Sequence, residues 1–538
     1  MRSRPWDAIY PGGGERSAWD VTLPRTTLPD LLARTVSQHP DRPAIEFGGV
    51  ITTYAELDTS VTDGAARLAG AGVGRGEVLG LLAGNTPAQP MALFAALTIG
   101  AIVAQLSPMD PPLALGRKLA DVGARRLITT DAPPILAAAA ALLEAGTVDT
   151  VYVVGVVPAE LHGLGFIPWD SLPRGTLPAA GPAVDDVALL QFTGGTTGQP
   201  KAAMLTHGNL TAAVSAYNAF GRACDRAFAP TDRVMAVLPL FHIYALTAVL
   251  LRTIAYGAVI LLRPRFDPAV ALDDIEAGCT HFYGVPTMWI AMVNHPGSFG
   301  RDWSRLRIAS SGGAALPAEI GAKVTAMSGL VLGGGWGMTE TSPAGTNLLP
   351  DCPAAPGLIG VPLPGVDIEV VSLDDPSRVL PAGETGELRI RGPNVMVGYW
   401  GHDAETRAAF CGDWFLTGDI GLMAPDGQFT LVDRKKEMLI SGGFNVYPRV
   451  IEDAIHEHPD VREAAVIGVP DPYRGQAAKA FVSLRAGAAP LTLEALRDFL
   501  GHRLGRHELP AALEVRDTLP HTAVGKLAKL ELKNEDRP

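Results

Sequence analysis

The sequence predicts an α/β fold, with a large N-terminal domain of layered α/β subdomains, a β-rich subdomain and a small C-terminal α+β domain. The first observation is that helix-like stretches alternate with short β-branched runs between residues 28 and 270, which is typical of α/β layers around a largely parallel sheet. The second is a change after residue 357 to short alternating strands separated by Gly/Pro turns. The third is a separate pattern of strands and helices beyond residue 433.

Length and charge limit the function classes. A chain of 538 residues exceeds what one hydrophobic core usually organises, so we expect two or more domains. The net charge of −12 argues against a general binder of nucleic acids or anionic membranes, because such proteins need a cationic face. The 60 glycines and 44 prolines exceed average usage without a collagen-like period, which indicates many turns and backbone-lined loops.

The N-terminal elements follow from hydrophobic spacing. Apolar residues at helical spacing predict helices, and short β-branched runs predict strands. An Ala-rich, helix-forming stretch adds one surface helix. In chain order we predict helix Leu57–Ala69, strand Val78–Leu82, helix Ala92–Leu97, strands Ile102–Leu106 and Arg126–Thr129, helix Ile135–Ala145 and strand Val151–Val154.

The C-terminal elements are predicted in the same way. A helix over Val450–His458 stops at Pro459, and leucines spaced by three to four residues indicate a second helix. We place the domain boundary within Asp433–Glu437, which gives domains of residues 1–433 and 434–538. The other predicted elements are the strands Asp367–Val371, Gly386–Arg391, Ala464–Val469 and Ala480–Leu484 and the helix through Leu493, Leu496, Leu500 and Leu504.

Cysteine usage and the N-terminus bear on the compartment. Four scattered cysteines without a CxxC pair argue against a disulfide framework or a structural zinc site and fit a reducing cytoplasm. The first residues have no apolar signal region, so we expect no signal peptide. The longest uncharged apolar run, Met91–Leu106, is shorter than the roughly 20 residues of a spanning helix. We therefore expect a cytoplasmic protein without a membrane span.

The strongest local motif is the segment Phe192-Thr-Gly-Gly-Thr-Thr-Gly-Gln-Pro-Lys201. Converging backbone N–H groups, threonine hydroxyls and one lysine charge suit a polyphosphate. The segment is not a Walker A loop, because Pro200 stands where that motif has a glycine before the lysine. An ordinary flexible glycine turn is the alternative. The glycines of Gly70–Gly76 fit no GxGxxG register, which argues against a Rossmann nucleotide site there.

This loop resembles the phosphate-binding loop of the adenylate-forming (ANL) superfamily, which includes acyl-CoA synthetases, luciferases and stand-alone adenylation domains. Further motifs follow in that family's order and spacing, and the Gly335–Pro343 run is similar to medium- and long-chain fatty acyl-CoA ligases. These motifs are Leu238-Pro-Leu-Phe-His242, Ser310-Ser-Gly-Gly-Ala-Ala315, Gly335-Trp-Gly-Met-Thr-Glu340, Trp414-Phe-Leu-Thr-Gly-Asp419, Asp433-Arg-Lys-Lys-Glu437, Ser441-Gly-Gly-Phe-Asn-Val-Tyr-Pro448 and Thr522-Ala-Val-Gly-Lys526.

The resemblance implies a two-step enzyme that uses ATP, Mg²⁺ and coenzyme A. A carboxylate and ATP form acyl-AMP and pyrophosphate, and a thiol then takes the acyl group. By resemblance Glu340 holds Mg²⁺, Thr339 contacts the α-phosphate, and Lys526 bridges the substrate carboxylate and the α-phosphate. The remaining ATP or AMP contacts that it implies are Thr193, Gly194, Gly195, Thr196, Thr197, Gly198 and Lys201 in the phosphate loop, Gly313, Ala314, Gly335, Trp336 and Gly337 around the adenine, and Asp419 and Arg434 at the ribose.

The resemblance also implies an acyl pocket, a thiol side and a hinge. A hinge at Lys436 makes the C-terminal α+β domain mobile between the two half-reactions. The implied acyl-pocket residues are His242, Tyr283, Gly312 and Met338, and the implied coenzyme A side has Gly442, Gly443 and Arg474. Taken singly, several of these residues have plainer interpretations: His242 as a core histidine, Asp419 as a turn cap, Glu340 as a solvated loop carboxylate, and Lys526 as a surface lysine.

This chain departs from the family pattern at a few positions. The phosphate loop has Gly194 where the family usually has Ser, which removes one hydroxyl donor. None of the departures deletes a charged participant, but they leave the ATP affinity and the width of the acyl pocket open. The other departures are Ala202, Ala245, Val450 and Val524.

The substrate and the acceptor are less determined than the reaction. His242 stands where amino-acid-activating relatives carry an Asp, which argues against an amino-acid substrate. The apolar and aromatic segment Phe282–Trp289 shows no counter-charge, which favours a fatty acid; an aryl acid, or a dicarboxylic acid met by an arginine elsewhere, stays open. Coenzyme A is the favoured acceptor and a carrier-protein thiol the alternative. Other classes are a luciferase-like oxygenase and a non-catalytic nucleotide binder. We expect a monomer or homodimer with no nucleic-acid partner.

Overall fold

The computed structural model describes residues 4–10, 19, 21–193, 200–312, 318–350, 352, 355, 357–441, 444–521 and 527–536. Several helices begin with a threonine cap or a proline in the first turn, as at Thr53 and Thr206, where a Glu or Asn three residues on completes a capping box. The α-helices are α1 Leu28–Gln38, α2 Tyr54–Gly70, α3 Ala88–Thr98, α4 Pro112–Val122, α5 Pro133–Glu144, α6 His207–Ala223, α7 Arg252–Tyr256, α8 Pro268–Glu276, α9 Pro286–Val293, α10 Ala318–Ser328, α11 Asp403–Ala408, α12 Pro448–His456, α13 Leu493–Leu500 and α14 Lys529–Glu535.

The strands form four sheets. They are β1 Pro43–Phe47, β2 Val50–Thr53, β3 Val78–Leu82, β4 Ile102–Leu106, β5 Arg126–Thr130, β6 Thr150–Val154, β7 Phe166–Pro168, β8 Val187–Phe192, β9 Ala202–Thr206, β10 Arg233–Ala236, β11 Val259–Leu262, β12 His281–Gly284, β13 Ile308–Ser311, β14 Thr346–Asn347, β15 Leu358–Pro362, β16 Asp367–Val371, β17 Gly386–Arg391, β18 Gly398–Tyr399, β19 Phe410–Cys411, β20 Trp414–Met423, β21 Phe429–Arg434, β22 Leu439–Ser441, β23 Phe444–Val446, β24 Val461–Asp471, β25 Gly475–Leu484 and β26 Ala512–Val515.

The eight-stranded sheet has the order β18-β9-β8-β4-β3-β5-β6-β7. The strands from β8 to β7 are parallel, whereas β9 runs antiparallel to β8 and β18 antiparallel to β9. The central strands β3 and β4 are buried along their whole length, as expected for parallel strands that are covered on both faces. Helices α4 and α5 contribute Leu119 and Leu136 to the hydrophobic core of this sheet.

The six-stranded sheet has the order β13-β12-β10-β11-β1-β2, and only the edge strand β2 is antiparallel to its neighbour. Leu272, Trp289 and Val324, from α8, α9 and α10, pack in its hydrophobic core. Strand β8 of the other sheet leads directly into Thr193, and β13 leads into Gly312. Both predicted binding segments therefore follow the carboxyl ends of strands, where α/β sheets place their ligands.

The seven-stranded sheet has the order β14-β15-β21-β20-β17-β16, with β19 beside β20. Strands β20 and β21 are antiparallel, and their register makes Asp419 and Arg434 cross-strand partners.

The five-stranded sheet has the order β23-β22-β25-β24, with β26 parallel to β25. Alternate residues of β24 point to opposite faces, as the period of two requires. Val466 packs in a core with α12 and α13, whereas Ile467 packs with Leu532 of α14. Helices thus cover both faces of this sheet.

The chain forms two compact units. The first unit contains Met1–Ala354, Gly360–Ile368 and Ile390–Phe415, and the second contains Ala355–Ile359, Glu369–Arg389 and Leu416–Pro538. The eight-stranded and six-stranded sheets belong to the first unit, and the five-stranded sheet belongs to the second.

The fold class predicted from the sequence is confirmed. The predicted strands at Val78–Leu82, Ile102–Leu106, Asp367–Val371 and Gly386–Arg391 have the observed bounds. The predicted helix through Leu504 ends earlier, at Leu500, although Leu504 still packs against the same core.

The apolar run Met91–Leu106 divides between α3 and β4. Within the described ranges we find no helix with the length and apolar character needed to cross a membrane.

Candidate functional site

Part of the predicted site lies outside the described residues. The phosphate-loop and C-terminal predictions are affected most, and their roles stay predictions. The residues concerned are Gly194, Gly195, Thr196, Thr197, Gly198, Gly313, Ala314, Gly442, Gly443 and Lys526.

The two ends of the phosphate loop are held together by β8 and β9. These strands pair antiparallel up to Phe192 and Ala202, and the N–H of Thr193 donates to the carbonyl oxygen of Lys201 at 2.9 Å. The Lys201 ammonium lies 3.8 Å from a Glu405 carboxylate oxygen and 5.4 Å from the ring centroid of Tyr399. A backbone hydrogen bond, and then the charges of Lys201 and His402, lower the pKa of Glu405. The lysine is therefore positioned by a carboxylate that a phosphate can replace.

Glu340 lies in the 3-10 turn Thr339–Thr341, and it is only 6% exposed. The Tyr399 hydroxyl donates to Glu340 Oε1 at 2.9 Å, and burial followed by the Glu340 charge raises the pKa of that hydroxyl. The backbone is fixed as well, because Met396 N–H donates to the Glu340 carbonyl at 2.8 Å. A buried carboxylate that accepts from a neutral hydroxyl fits a hard cation such as Mg²⁺.

Tyr399 links Glu340 to Lys201. It lies on β18, and its Cα partner on β9 is Ala203, two residues after Lys201. The hydroxyl meets Glu340 while the ring lies beside Lys201. The sequence did not reveal this tyrosine, because it lies in none of the motifs that predict the phosphate and metal contacts.

The turn after Glu340 is strained and tightly bonded. Ser342 has φ 60°, which is uncommon for a residue other than glycine. Buried Asn394 donates to the carbonyl oxygens of Thr341 at 2.8 Å and of Ala344 at 2.6 Å. These bonds hold Glu340 and Thr339 in a fixed backbone frame, and Asn394 is a second residue that the sequence did not reveal.

The predicted adenine segment pairs at Trp336 with the part of the chain that returns after the Glu340 turn. Trp336 and Thr346 exchange backbone hydrogen bonds, and Trp336 is buried. A Cβ on Gly337 would lie 1.4 Å from the Pro343 carbonyl oxygen, and one on Gly335 would lie 2.2 Å from that of Thr346. Gly335 and Gly337 are therefore required, because the backbone at Thr346 and Pro343 passes too close to leave room for a side chain.

The 238–242 motif is clamped from the eight-stranded sheet. Asn85, buried after β3, accepts the N–H of Leu240 at 2.9 Å and donates to the carbonyl of Leu238 at 2.9 Å. Gln191, at the end of β8, donates to the Phe241 carbonyl at 2.9 Å. These bonds place His242 close to the end of the strand that leads into the phosphate loop.

Three of the predicted acyl-pocket residues, His242, Gly312 and Tyr283, lie around Tyr244. His242 Nδ1 accepts the N–H of Tyr244 at 3.3 Å. A Cβ on Gly312 would lie 3.0 Å from the Tyr244 ring, so that ring packs directly against the glycine. Tyr283 lies edge-on to Tyr244, with the ring centroids 6.5 Å apart. Met338 is partly buried one residue before the Glu340 turn.

The second unit holds the predicted ribose contacts. Asp419 is fully buried, and its Oδ1 lies 2.6 Å from Nε of Arg434. Lys435 is bonded at 2.8 Å to the buried carboxylate of Glu387. Lys436 is exposed in the turn after β21, and Arg474 lies in the turn between β24 and β25. Asp419 and Arg434 thus lie together, and their contact with a ribose stays a prediction.

Asp433 anchors the segment that we predict to be a hinge. One carboxylate oxygen accepts the N–H of Arg449 at 2.9 Å, in the first turn of α12, and the other accepts the N–H of Arg434 at 2.7 Å. Burial raises the pKa of Asp433 in spite of these bonds. A carboxylate at this place satisfies an N–H that the first turn of the helix leaves unpaired.

A buried ion pair lies close to this anchor. Glu452 Oε1 is 2.7 Å from the Lys529 ammonium and accepts the N–H of Val466. Burial raises the pKa of Glu452 to about 7, against the lowering effect of Lys529. Lys533 pairs with Glu437 at 2.8 Å.

Comparison with known proteins identifies the family. The family described as AMP-binding enzyme matches residues 32–400, and the AMP-binding enzyme C-terminal domain matches residues 450–526. A long-chain-fatty-acid–CoA ligase of Bacillus subtilis is 34% identical over 99% of this chain and 98% of its own. A feruloyl-CoA synthase of Amycolatopsis is 37% identical over 93% of this chain and 97% of its own. The crystal structure of ATP-bound MatB from Rhodopseudomonas palustris has a TM-score of 0.84 at 28% identity, over 95% of this chain and 99% of that one.

Tyr399→Phe tests the orientation of Glu340. The variant removes the hydroxyl but keeps the ring beside Lys201, so we expect the Mg²⁺ concentration for half-maximal pyrophosphate release to rise about 10-fold. The rate at saturating Mg²⁺ should recover most of its value. The matched control is Tyr256→Phe. The Tyr256 hydroxyl of the wild type accepts a long 3.4 Å bond from exposed Arg222. An unchanged Mg²⁺ requirement in Tyr399→Phe would contradict this role.

Glu452→Gln tests the buried pair by its pH dependence. Because the folded pKa is raised from 4.5 to about 7, the folded state binds more protons between these values, and the contribution to stability is lost as the pH rises through 7. The free energy of opening of α12, measured by native-state hydrogen exchange, should fall in the wild type as the pH rises from 5 to 8. This fall should be larger than the fall in the variant by on the order of 1 to 3 kcal/mol. Exposed Glu494→Gln is the control, and equal slopes in wild type and Glu452→Gln would refute the assignment.

Proposed function

The chain belongs to the AMP-binding enzyme family and is an AMP-forming acid–CoA ligase that uses ATP and coenzyme A, and we propose that its acid is aliphatic, of medium or long chain. The reaction class, the fold family and the substrates ATP and coenzyme A were all predicted from the sequence and are confirmed. The observation that carries the adenylation chemistry is the contact of Tyr399 with both Glu340 and Lys201.

The first half-reaction needs positioning more than acid–base chemistry. A carboxylic acid with a pKa near 4.3 is ionised at neutral pH, so its oxygen attacks the α-phosphate without a general base. Pyrophosphate leaves as the new phosphorus–oxygen bond forms, and the barrier is set by in-line alignment and phosphate charge. Mg²⁺, when bound, supplies neutralisation of that charge. We assign Lys201 to the departing phosphates, Glu340 to the metal and Thr339 to the α-phosphate.

The second half-reaction transfers the acyl group. The thiol sulfur of coenzyme A attacks the acyl carbonyl, the thiol proton is lost, and AMP leaves with the electron pair of the broken bond. We propose that residues 434–538 rotate about Lys436 between the two steps, withdrawing Lys526 and presenting the side that carries Gly442, Gly443 and Arg474. Asp433, which bonds to the first turn of α12, supports a pivot at this place.

An aliphatic acid is favoured by similarity over the whole chain to a long-chain-fatty-acid–CoA ligase. The segment Ala245–Leu251, which is apolar except for Thr247, is fully buried, and we propose that it gives an acyl tail an apolar wall. An aryl acid is the second candidate. Three tyrosines, Tyr217, Tyr244 and Tyr283, lie together beyond His242, and the feruloyl-CoA synthase relative favours it. We place the reaction in the cytoplasm on the evidence of the scattered cysteines.

An acid panel tests the proposed substrate class. Purified enzyme with Mg²⁺, ATP and coenzyme A should release pyrophosphate in the presence of octanoate or hexadecanoate and form the corresponding thioester. Lys526→Ala, as the matched inactive variant, should lose at least about 100-fold in rate. Faster turnover of cinnamate derivatives would select the aryl candidate. Pyrophosphate release without a thioester would select a carrier-protein acceptor.

Lys436→Pro tests the hinge. Proline restricts the backbone rotation that exchanges the two half-reactions, so we expect thioester formation to fall by about 10-fold or more while acyl-AMP formation changes little. The two steps are measured separately, by pyrophosphate exchange and by thioester formation from isolated acyl-AMP. Lys436→Ala, which keeps the backbone free, should retain both. Equal losses in both steps would count against a hinge here.

A further inference from the structure

A buried arginine directly follows the π-helical segment Ala245–Leu251, which begins three residues after His242. Arg252 is the first residue of α7, follows this buried and mostly apolar segment and is only 6% exposed. A charge at such a place is costly, because an ion taken out of water must be matched by partners. The interruption of an apolar run by one arginine is also visible in the sequence.

The hydrogen-bond acceptors of Arg252 among the described residues are neutral. Nε donates to Asn218 Oδ1 at 3.1 Å, Nη1 to the Tyr283 hydroxyl oxygen at 3.1 Å, and Nη2 to the Tyr217 carbonyl at 3.3 Å. Within the described part of the chain, Arg252 forms no ion pair with a carboxylate. The Phe228 ring, 4.2 Å away, offsets only part of the charge.

One buried carboxylate acts on this group of residues, and it is already paired with another arginine. Asp232 is buried and its charge reaches Tyr283, but it bonds Arg307 at 2.7 Å. The positive charge of Arg252 therefore lacks a partner of opposite sign among the described residues.

Arg252 and Tyr283 together retain donors for one more acceptor. A guanidinium has five N–H groups, and the three bonds to neutral oxygens leave one N–H on each terminal nitrogen. That pair matches the two oxygens of a carboxylate. The Tyr283 oxygen accepts a bond from Arg252, which leaves its own proton to donate.

These donors lie next to the predicted acyl pocket. The Tyr217 hydroxyl donates to the Pro343 carbonyl at 3.4 Å, three residues after Glu340, and its ring lies 5.7 Å from the Arg252 guanidinium. Tyr283 meets Tyr244, which packs on Gly312. Tyr217 and Tyr244 remain partly exposed, although the surrounding protein raises the pKa of both hydroxyls. The rings thus lead from the reacting centre to Arg252.

We propose that Arg252 and Tyr283 bind a second carboxylate at the far end of the acid, so that the preferred substrate is an α,ω-dicarboxylic acid. The inference rests on the proposed function, because the first carboxylate is the one that reacts with ATP. The methylene chain passes along the tyrosine rings, and the second carboxylate completes the charge balance of the buried guanidinium.

The test compares acids of equal length on the full-length enzyme. The ratio of kcat/KM in pyrophosphate release is measured for octanedioate against octanoate and for decanedioate against decanoate. The variants are Arg252→Met, which keeps a long apolar stem, Arg252→Lys, which keeps the charge, and exposed Arg222→Met as the matched control. Binding of each acid in the absence of ATP is measured by calorimetry.

We expect the wild type and Arg222→Met to favour the dicarboxylates. The ratio should fall about 100-fold in Arg252→Met and less in Arg252→Lys. A change of ratio cannot come from misfolding, because misfolding lowers both rates together. A wild type that favours octanoate, with a ratio unchanged in Arg252→Met, would overturn the inference, as would a preference for 4-hydroxycinnamate over every dicarboxylate.

The two proposals fail in different ways. If no acid supports pyrophosphate release but octanedioate binds the wild type and not Arg252→Met, the proposed function is wrong and the carboxylate site stands. If octanedioate binds both proteins equally, or neither, the carboxylate site is wrong whatever the turnover shows.

Discussion

The hydrogen bond from Tyr399 to Glu340 is the contact on which the rest of the site depends. It fixes a buried carboxylate whose solvation would otherwise require water or a cation, and the same ring lies beside Lys201. Because β18 pairs with β9, the position of Tyr399 follows from the strand that carries Lys201. One strand pairing therefore places Tyr399 against both Glu340, the proposed Mg²⁺ ligand, and Lys201, the proposed phosphate contact.

The placement of cations beside acidic side chains explains how an acidic chain holds polyanions. Lys201 lies near Glu405, and Arg434 lies against Asp419, so each cation is placed by a nearby acid before any ligand arrives. In the proposed roles of these residues, a phosphate or ribose exchanges with, or adds to, a contact that is already oriented. Arg252 differs because its described hydrogen-bond acceptors are neutral, which is why its position points to a charge supplied by the substrate.

Local sequence patterns predicted the fold well. The strands at Val78–Leu82 and Gly386–Arg391 have the expected bounds, because the first is an apolar run that stops before Gly84 and the second stops at the Gly392-Pro393 turn signal. The motifs also led to the correct family and reaction class. The residues that support the motifs were not predictable in this way. Tyr399 meets Glu340 across 59 positions, and Asn85 meets Leu238 across 153, and such contacts have no local signature.

The most direct test of this account is a crystal structure with Mg²⁺ and a non-hydrolysable ATP analogue. We expect Mg²⁺ on the Glu340 carboxylate with the Tyr399 hydroxyl still within hydrogen-bond distance, and Lys201 moved from Glu405 onto the terminal phosphates. A metal bound away from Glu340, with Lys201 still beside Glu405, would contradict it.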